Sequence, residues 1–318
     1  MRIWALVLAF LVLVVVSKSY AAETLTVAYR DHKGLHQVTV KGDHKESYRF
    51  SHGDKHIKLA TLNWSPYISR SICKHGWVFQ STVALLHSMG YGASISYYPW
   101  ARAMAVVESG KADVLFPEYF IEPEAPSDVF RGTRRLDHLS LSKSFGWGPI
   151  AFLARSDFDS SAFDGKLSSL VNERIGVVRG YQNTPDFDRM MDRGDFAIVS
   201  AVDDLTNVEL LLNNRVNYIV GDPEVVFSEV RGSSKSTQEK QRILSKLTVV
   251  DPILRMNALF YAVSKRSEYN DVLLFELNQA IESFKEFGTF EEIKYQVQRS
   301  CSKSSGSDMP LQGGVGNS

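Results

Sequence analysis

From Ile57 almost to the C-terminus, apolar runs of strand length alternate with amphipathic runs of helix length. Residues 57–62, 93–98, 112–116, 149–154, 174–178, 196–200, 218–220, 248–250 and 258–263 read as strands. Residues 76–89, 99–109, 184–191, 203–213, 268–287 and 289–298 read as helices, the second with Pro99 at its first turn. Strands separated by helices rejoin a sheet most readily as parallel neighbours. The pattern therefore predicts an α/β protein with helices covering the sheet faces. At 318 residues there is room for one large or two modest domains. A 44% hydrophobic, 23% charged composition excludes a disordered or fibrous chain. With 36 basic against 36 acidic groups there is no basic field to hold nucleic acid.

The segment ahead of this alternation has its own logic. Arg2 precedes an apolar run over 5–16, short of the ~20 residues a membrane-crossing helix needs. Ser19 and Ala21 are the small residues a signal peptidase requires, so 1–21 reads as a signal peptide cleaved after Ala21, and the protein as periplasmic. An uncleaved anchor is the other reading. Export would allow Cys73 and Cys301 to pair, closing a loop of over 200 residues worth about 4–5 kcal/mol on chain-entropy grounds; two separate thiols remain equally open.

Residues 22–56 read as an N-terminal extension with short β-prone runs at 25–29, 37–40 and 46–50. They hold His32, His36, His44, His52 and His56, better explained as solvated loop histidines than as a metal buffer. Residues 302–318, rich in Gly and Ser, read as a disordered tail.

Catalytic signatures are missing: no GxSxG, HExxH, CxxC, P-loop or GxGxxG occurs. Ser140 to Lys143 satisfies SxxK but without the SDN and KTG partners. The pairs Asp203-Asp204 and Glu291-Glu292 point different ways on helices and suit solvated faces. An exported, bilobal-sized α/β chain without a nucleophile signature favours binding over catalysis, and no cofactor is expected.

Several stretches add a family likeness when read in order. Thr61-Leu62-Asn63-Trp64-Ser65-Pro66-Tyr67 would be a first strand and its loop. Tyr97-Tyr98-Pro99-Trp100-Ala101-Arg102-Ala103 and Gly110-Lys111-Ala112-Asp113-Val114 would give the second strand, helix and third strand. Arg135 to Ser142, Asn214 to Asp222, and Phe287 to Ile293 complete the series. Together they resemble the solute-binding proteins of polar amino-acid ABC transporters, over roughly 57–297. The resemblance implies two α/β lobes, each a mixed sheet flanked by helices, joined by two hinge crossings near 148–150 and 255–258. Lobe one would comprise 57–148 with 257–297, and lobe two 149–256.

That family closes its lobes around a small polar ligand, an amino acid or related compound, and hands it to an inner-membrane permease or a sensor; the likeness implies a monomer. Carried over, Arg135 becomes a carboxylate clamp, Asp222 an ammonium acceptor, and Trp64 and Tyr67 apolar walls. Arg135 could instead be a surface arginine beside Arg131 and Arg134, and Asp222, followed by Pro223, a helix N-cap.

The chain departs from the pattern in several places. Asp113 to Arg135 is nearly twice the family spacing, and the insertion opens with Glu118 and Tyr119, which could reach the cleft. Tyr181 replaces a small hydroxylic residue after Gly180, where it could fill space or stack on the ligand, and Asn217 stands where an aspartate is expected. Trp100 and Arg102 are either cleft-mouth residues or a lobe-packing pair. A periplasmic accessory protein, with the insertion and the N-terminal extension as a partner surface, is the alternative function.

Overall fold

The computed structural model describes residues 23–43, 47–127 and 129–304, with the side chains of 302–304 excepted. The signal-peptide expectation, His44 and most of the tail lie outside them. In chain order the strands are β1 Thr24–Asp31, β2 Gly34–Gly42, β3 Ser47–Phe50 and β4 Lys55–Thr61. After α1 Gly76–Ser88 come β5 Tyr91–Tyr97, α2 Trp100–Glu108, β6 Val114–Glu118, the single turn α3 Arg135–His138 and β7 Leu139–Leu141. Then follow β8 Gly146–Arg155, β9 Arg174–Val178, α4 Pro185–Asp192, β10 Ala197–Ala201, α5 Asp204–Leu212, β11 Tyr218–Gly221 and α6 Pro223–Gly232. The chain closes with α7 Thr237–Leu244, β12 Leu247–Ser264, α8 Asn270–Phe287 and α9 Thr289–Ser304.

Strand pairing runs β1-β2-β3-β5-β4-β6-β12-β8-β11-β9-β10, with β7 beside β12. Two parallel centres, β5–β4–β6 and β11–β9–β10, are the cores of two lobes. The long antiparallel pair β8 and β12 runs through both. Near the first lobe Ala258 lies opposite Trp147; in the second, Val250 lies opposite Phe152. The register slips between Val250 and Arg255, so the two sheets are set off from each other there. These two strands are the crossings, and the molecule has the two-lobed architecture expected.

Strand alternation places each core. On β4, Ile57 and Leu59 face a cluster with Phe79 of α1, Leu277 of α8 and Ile293 of α9, while Ala60 faces Met104 and Val107 of α2. In lobe two, Phe152 packs on Phe187 of α4, and Leu153, one residue on, packs on Leu211 of α5 and Val226 of α6. Strands covered on both faces read as continuous apolar runs, which is how 149–154 stood out in the sequence.

The β-prone runs read ahead of residue 57 become strands: β1 and β2 form a hairpin, and β3 pairs antiparallel with β5 (Ser47 opposite Ser96), continuing the lobe-one sheet. Their Val27, Tyr29, Val40 and Phe50 are buried in the lobe-one core. Among the described histidines there, His36 bonds Asp31 at 2.8 Å and His52 stacks on His87 at 4.0 Å, whereas His32 and His56 are exposed, His56 with a 2.8 Å bond to Ser94. No group of three metal-ligating side chains occurs among the described residues. Finally, α6 and α7 fill a stretch with no helix assigned from sequence, each opened by a capping side chain, Asp222 and Ser236.

Cys73 and Cys301 form a disulfide, with Cα atoms 5.7 Å apart. It ties α9 to the turn before α1 and settles the open alternative in favour of pairing.

Candidate functional site

The lobes meet along a seam built from loops at the carboxyl ends of the parallel strands, the usual place for a site in such sheets. The loop after β4 carries Trp64 and Tyr67; their rings stack at 4.5 Å, and Tyr119, just past β6, meets Trp64 edge-on at 5.3 Å. From lobe two, the turn after β9 brings Gly180, Tyr181 and Gln182, and the start of α6 brings Asp222.

Asp222 is 3% exposed, and both its oxygens are occupied. Oδ1 accepts the backbone N–H groups of Glu224 (2.8 Å) and Val225 (3.4 Å), so the residue is the N-cap of α6. Oδ2 accepts the hydroxyls of Tyr67 (2.7 Å) and Tyr119 (3.2 Å), both from lobe one. Burial pushes its carboxyl up to about 6, and the Tyr67 and backbone donors pull it part of the way back. Burial and the adjoining Asp222 charge push the Tyr67 phenol far above the ordinary range, so it stays a donor.

Gly148 of β8, in one of the expected hinge regions but not among the candidate site residues, makes this contact possible. A Cβ there would stand 2.6 Å from the Tyr67 hydroxyl, 2.7 Å from that of Tyr119 and 2.8 Å from Asp222 Oδ2.

Further bonds close the seam. The Gly180 carbonyl accepts from Trp100 Nε1 at 3.1 Å and from Arg135 Nη1 at 3.4 Å; Gly180 has φ +82°, which favours glycine. The Ser65 amide donates to Glu229 of α6 at 3.2 Å, and the Glu122 amide to the Gln182 side chain at 3.2 Å. The lobes are therefore in contact, and the seam is shut.

Three hollows follow it. The inner one, about 30 Å³ and room for about two waters, is lined by Leu62, Trp64, Trp100, Pro117, Glu118, Tyr119, Tyr181 and Gln182. On one side it adjoins an outer hollow of about 430 Å³ bordered by Glu122, Arg135 and Asp188. On the other it adjoins one of about 460 Å³ bordered by Arg70, Tyr98 and Asp203. Tyr181 lies on all three and meets Trp100 edge-on at 6.1 Å, so it fills the middle of the cleft. Its hydroxyl donates to Asp204 at 3.1 Å.

The candidates therefore separate. Trp64, Trp100, Glu118, Tyr119 and Tyr181 share the inner hollow. Arg135, 6% exposed, borders the outer one. Tyr67 and Asp222 lie behind the inner wall, bonded to each other. Arg102 lines none of the three hollows, and its guanidinium lies over the Tyr98 ring at 5.3 Å. Glu118 is 3% exposed, and burial pushes its carboxyl up to about 8 against the opposing pull of Arg135. Buried acids not foreseen from sequence join it: Asp188 and Asp204, each pushed up to about 7 by burial. Asp188 accepts from the nearby Asn183 amide, and Asp204, read from sequence as a solvated face, is buried and accepts from Tyr181.

No protein-family model matches this sequence, and no curated protein does. Solved structures of the same architecture are plentiful. A histidine kinase sensor domain with similarity to periplasmic binding proteins aligns at 18% identity and TM-score 0.59, covering 76% of this chain and 96% of its own. An ancestral arginine-binding protein bound to arginine aligns at 17% and 0.58 over 77% and 99%. The GluR0 ligand-binding core from Nostoc punctiforme, in complex with glutamate, aligns at 12% and 0.56 over 76% and 98%. The likeness is one of fold: a two-lobed periplasmic-binding-protein-like architecture.

Proposed function

We propose that this chain is an extracytoplasmic solute-binding protein whose lobes close on a small polar ligand and present it to an inner-membrane ABC permease. The observation that carries the reading is the seam itself: an aromatic hollow between lobes, latched by Tyr67 and Tyr119 of one lobe on Asp222 of the other. A ligand contacting both lobes favours the closed form by its differential affinity, which is what makes closure a signal. Lobe one would be 57–148 with 257–297, together with β1–β3, and lobe two 149–256. Periplasmic residence follows from the same reading; no helix among the described residues is long and apolar enough to cross a membrane. Binding without turnover is the corresponding expectation.

The test is thermal unfolding across a panel of amino acids, organic acids and amines. A true ligand raises Tm with the logarithm of its excess over Kd. A panel without any shift would remove the ligand reading.

The likeness to a kinase sensor domain favours a second reading, in which the closed form is read by a partner protein. The insertion from Glu118 to Arg135 and the segment before Ile57 would supply the partner surface. Capture of a defined inner-membrane partner only in the presence of ligand, with no permease association, would select it.

A further inference from the structure

Two carboxylate oxygens on one short segment lie buried without a hydrogen-bond partner: Oε2 of Glu118 and Oε1 of Glu122. Glu118 borders the inner hollow, among the rings of Trp64, Trp100, Tyr119 and Tyr181; Glu122 borders the outer one. The two hollows have Tyr181 and Gln182 as common lining, so they are neighbours. Four residues apart, the two Cα atoms are separated by at most about 14 Å.

A buried acceptor without a donor costs free energy that a ligand N–H can return. Aromatic rings around a carboxylate add the attraction of their faces for a cation. The outer hollow repeats the preference: Glu122, Glu124, Asp188 and Asp192 border it against Arg135 and Arg189. The inner hollow has no basic side chain on its wall.

Resting on the reading of the seam as a ligand site, we propose that the ligand is an organic cation. Its ammonium or guanidinium head lies against Glu118 between the rings, and a second nitrogen reaches Glu122, as in a short diamine or an aminoalkyl guanidine. No carboxylate on the ligand is needed. The present hollow is too small for such a head, so the seam opens to admit it, and Tyr181 and Trp100 part.

A cation beside Glu118 holds its carboxyl ionised, whereas burial keeps it largely protonated at pH 7. Binding therefore releases a proton, and affinity rises with pH up to about 8. The groups facing Glu118 are Arg135 from α3, which opposes the shift, and the phenols of Tyr119 and Tyr181, which stay protonated in this range. Asp222 behind Tyr119, Asp204 behind Tyr181, and Asp188 in the outer hollow titrate nearby, so the comparison with E118Q isolates the Glu118 contribution.

The experiment is calorimetry and thermal unfolding of the purified chain with agmatine, putrescine, L-arginine, L-glutamate and succinate. Agmatine or putrescine is expected to bind and raise Tm, and succinate to do neither. E118Q should weaken agmatine at least tenfold and sharply reduce the proton release, while keeping its circular dichroism and a Tm without ligand no lower than that of wild type. E122Q should weaken both amines and leave the proton release in place. Between pH 6 and 8 the wild-type affinity for agmatine should rise by up to about tenfold per unit, and that of E118Q by clearly less.

Binding of succinate or glutamate with agmatine and putrescine silent would overturn the inference while leaving the ligand reading intact. Arginine binding with agmatine silent would do the same, as would agmatine binding that E118Q does not weaken. Silence towards all five, and towards the panel above, overturns the ligand reading itself.

Discussion

The Tyr67 hydroxyl, carried by lobe one, donates a 2.7 Å hydrogen bond to Oδ2 of Asp222, the residue that caps α6 in lobe two. One carboxylate thus starts a helix with one oxygen and latches the lobes with the other. With Tyr119 and two backbone amides also bonded, all four of its lone-pair sites are in use. Closure in this conformation is a property of the protein's own groups. A ligand must compete with that latch or act beside it.

Tyr67→Phe removes the shorter of the two cross-lobe bonds and keeps the ring packed on Trp64. A bond to a charged acceptor contributes about 1.5–3 kcal/mol. The variant should populate an open form, seen as a larger radius of gyration by small-angle scattering without ligand. An unchanged scattering profile would show that the latch does not govern closure.

Gly148→Ala places a methyl group inside contact distance of three oxygens. Overpacking of this kind costs about 1–3 kcal/mol, and here it acts on the closed form. Weaker binding of any ligand that raises the wild-type Tm is the expected outcome. A variant binding as tightly as wild type would mean the crossing strand yields freely.

Stability should fall as pH rises from about 6.5 to 8; below that, His87, pushed down to about 4 by burial, and His56 and His138, also pushed down by burial, work in the opposite direction. Asp222, Asp188, Asp204 and Glu118 are all pushed by burial above the unfolded carboxyl value of about 4. In that window the folded state holds protons the unfolded state has lost. Their contribution is whole below about pH 4 and disappears as pH passes through 6 to 8. The decline is limited to about 1.4 kcal/mol per pH unit for each group titrating. Urea titrations should show it, and Asp204→Asn should flatten it; stability rising over this range would contradict the burial argument. The exposed Asp137, held low by Arg134, acts at lower pH and does not offset it.

The Cys73–Cys301 bridge spans 228 residues of sequence. On loop entropy its removal should cost about 5 kcal/mol. Cys73→Ser with Cys301→Ser should unfold well below wild type, by an amount that reductant reproduces in wild type. Equal denaturation midpoints for the reduced and oxidised forms would show that the bridge adds nothing to stability.

Strand and helix order from β4 to α9 was legible because it is written locally. Leu59 and Ala60 face opposite cores by alternation alone, and Pro99 marks the entrance to α2. The aromatic residues Trp64, Trp100, Tyr119 and Tyr181 were singled out through the family resemblance rather than by local pattern, and the structure places all four on one hollow. For α6 the sequence offered the start alone, Asp222 before Pro223 as a possible N-cap, and α7 was missed although its cap Ser236 stands in the sequence, because the apolar stripes of both are short.

What the sequence determined by itself was the order of elements and the α/β class, for which short-range periodicity and turn chemistry suffice; the two lobes were implied by the family resemblance. Only tertiary structure decided what meets at the seam and what joins the sheet. β3 becomes a strand of lobe one because β5 offers it an edge. Asp222 is occupied because Tyr67 and Tyr119 reach it across the cleft. Gly148 matters because three side-chain oxygens converge on the space a methyl group would take. Each depends on atoms distant along the chain, and a linear pattern carries no record of such distances.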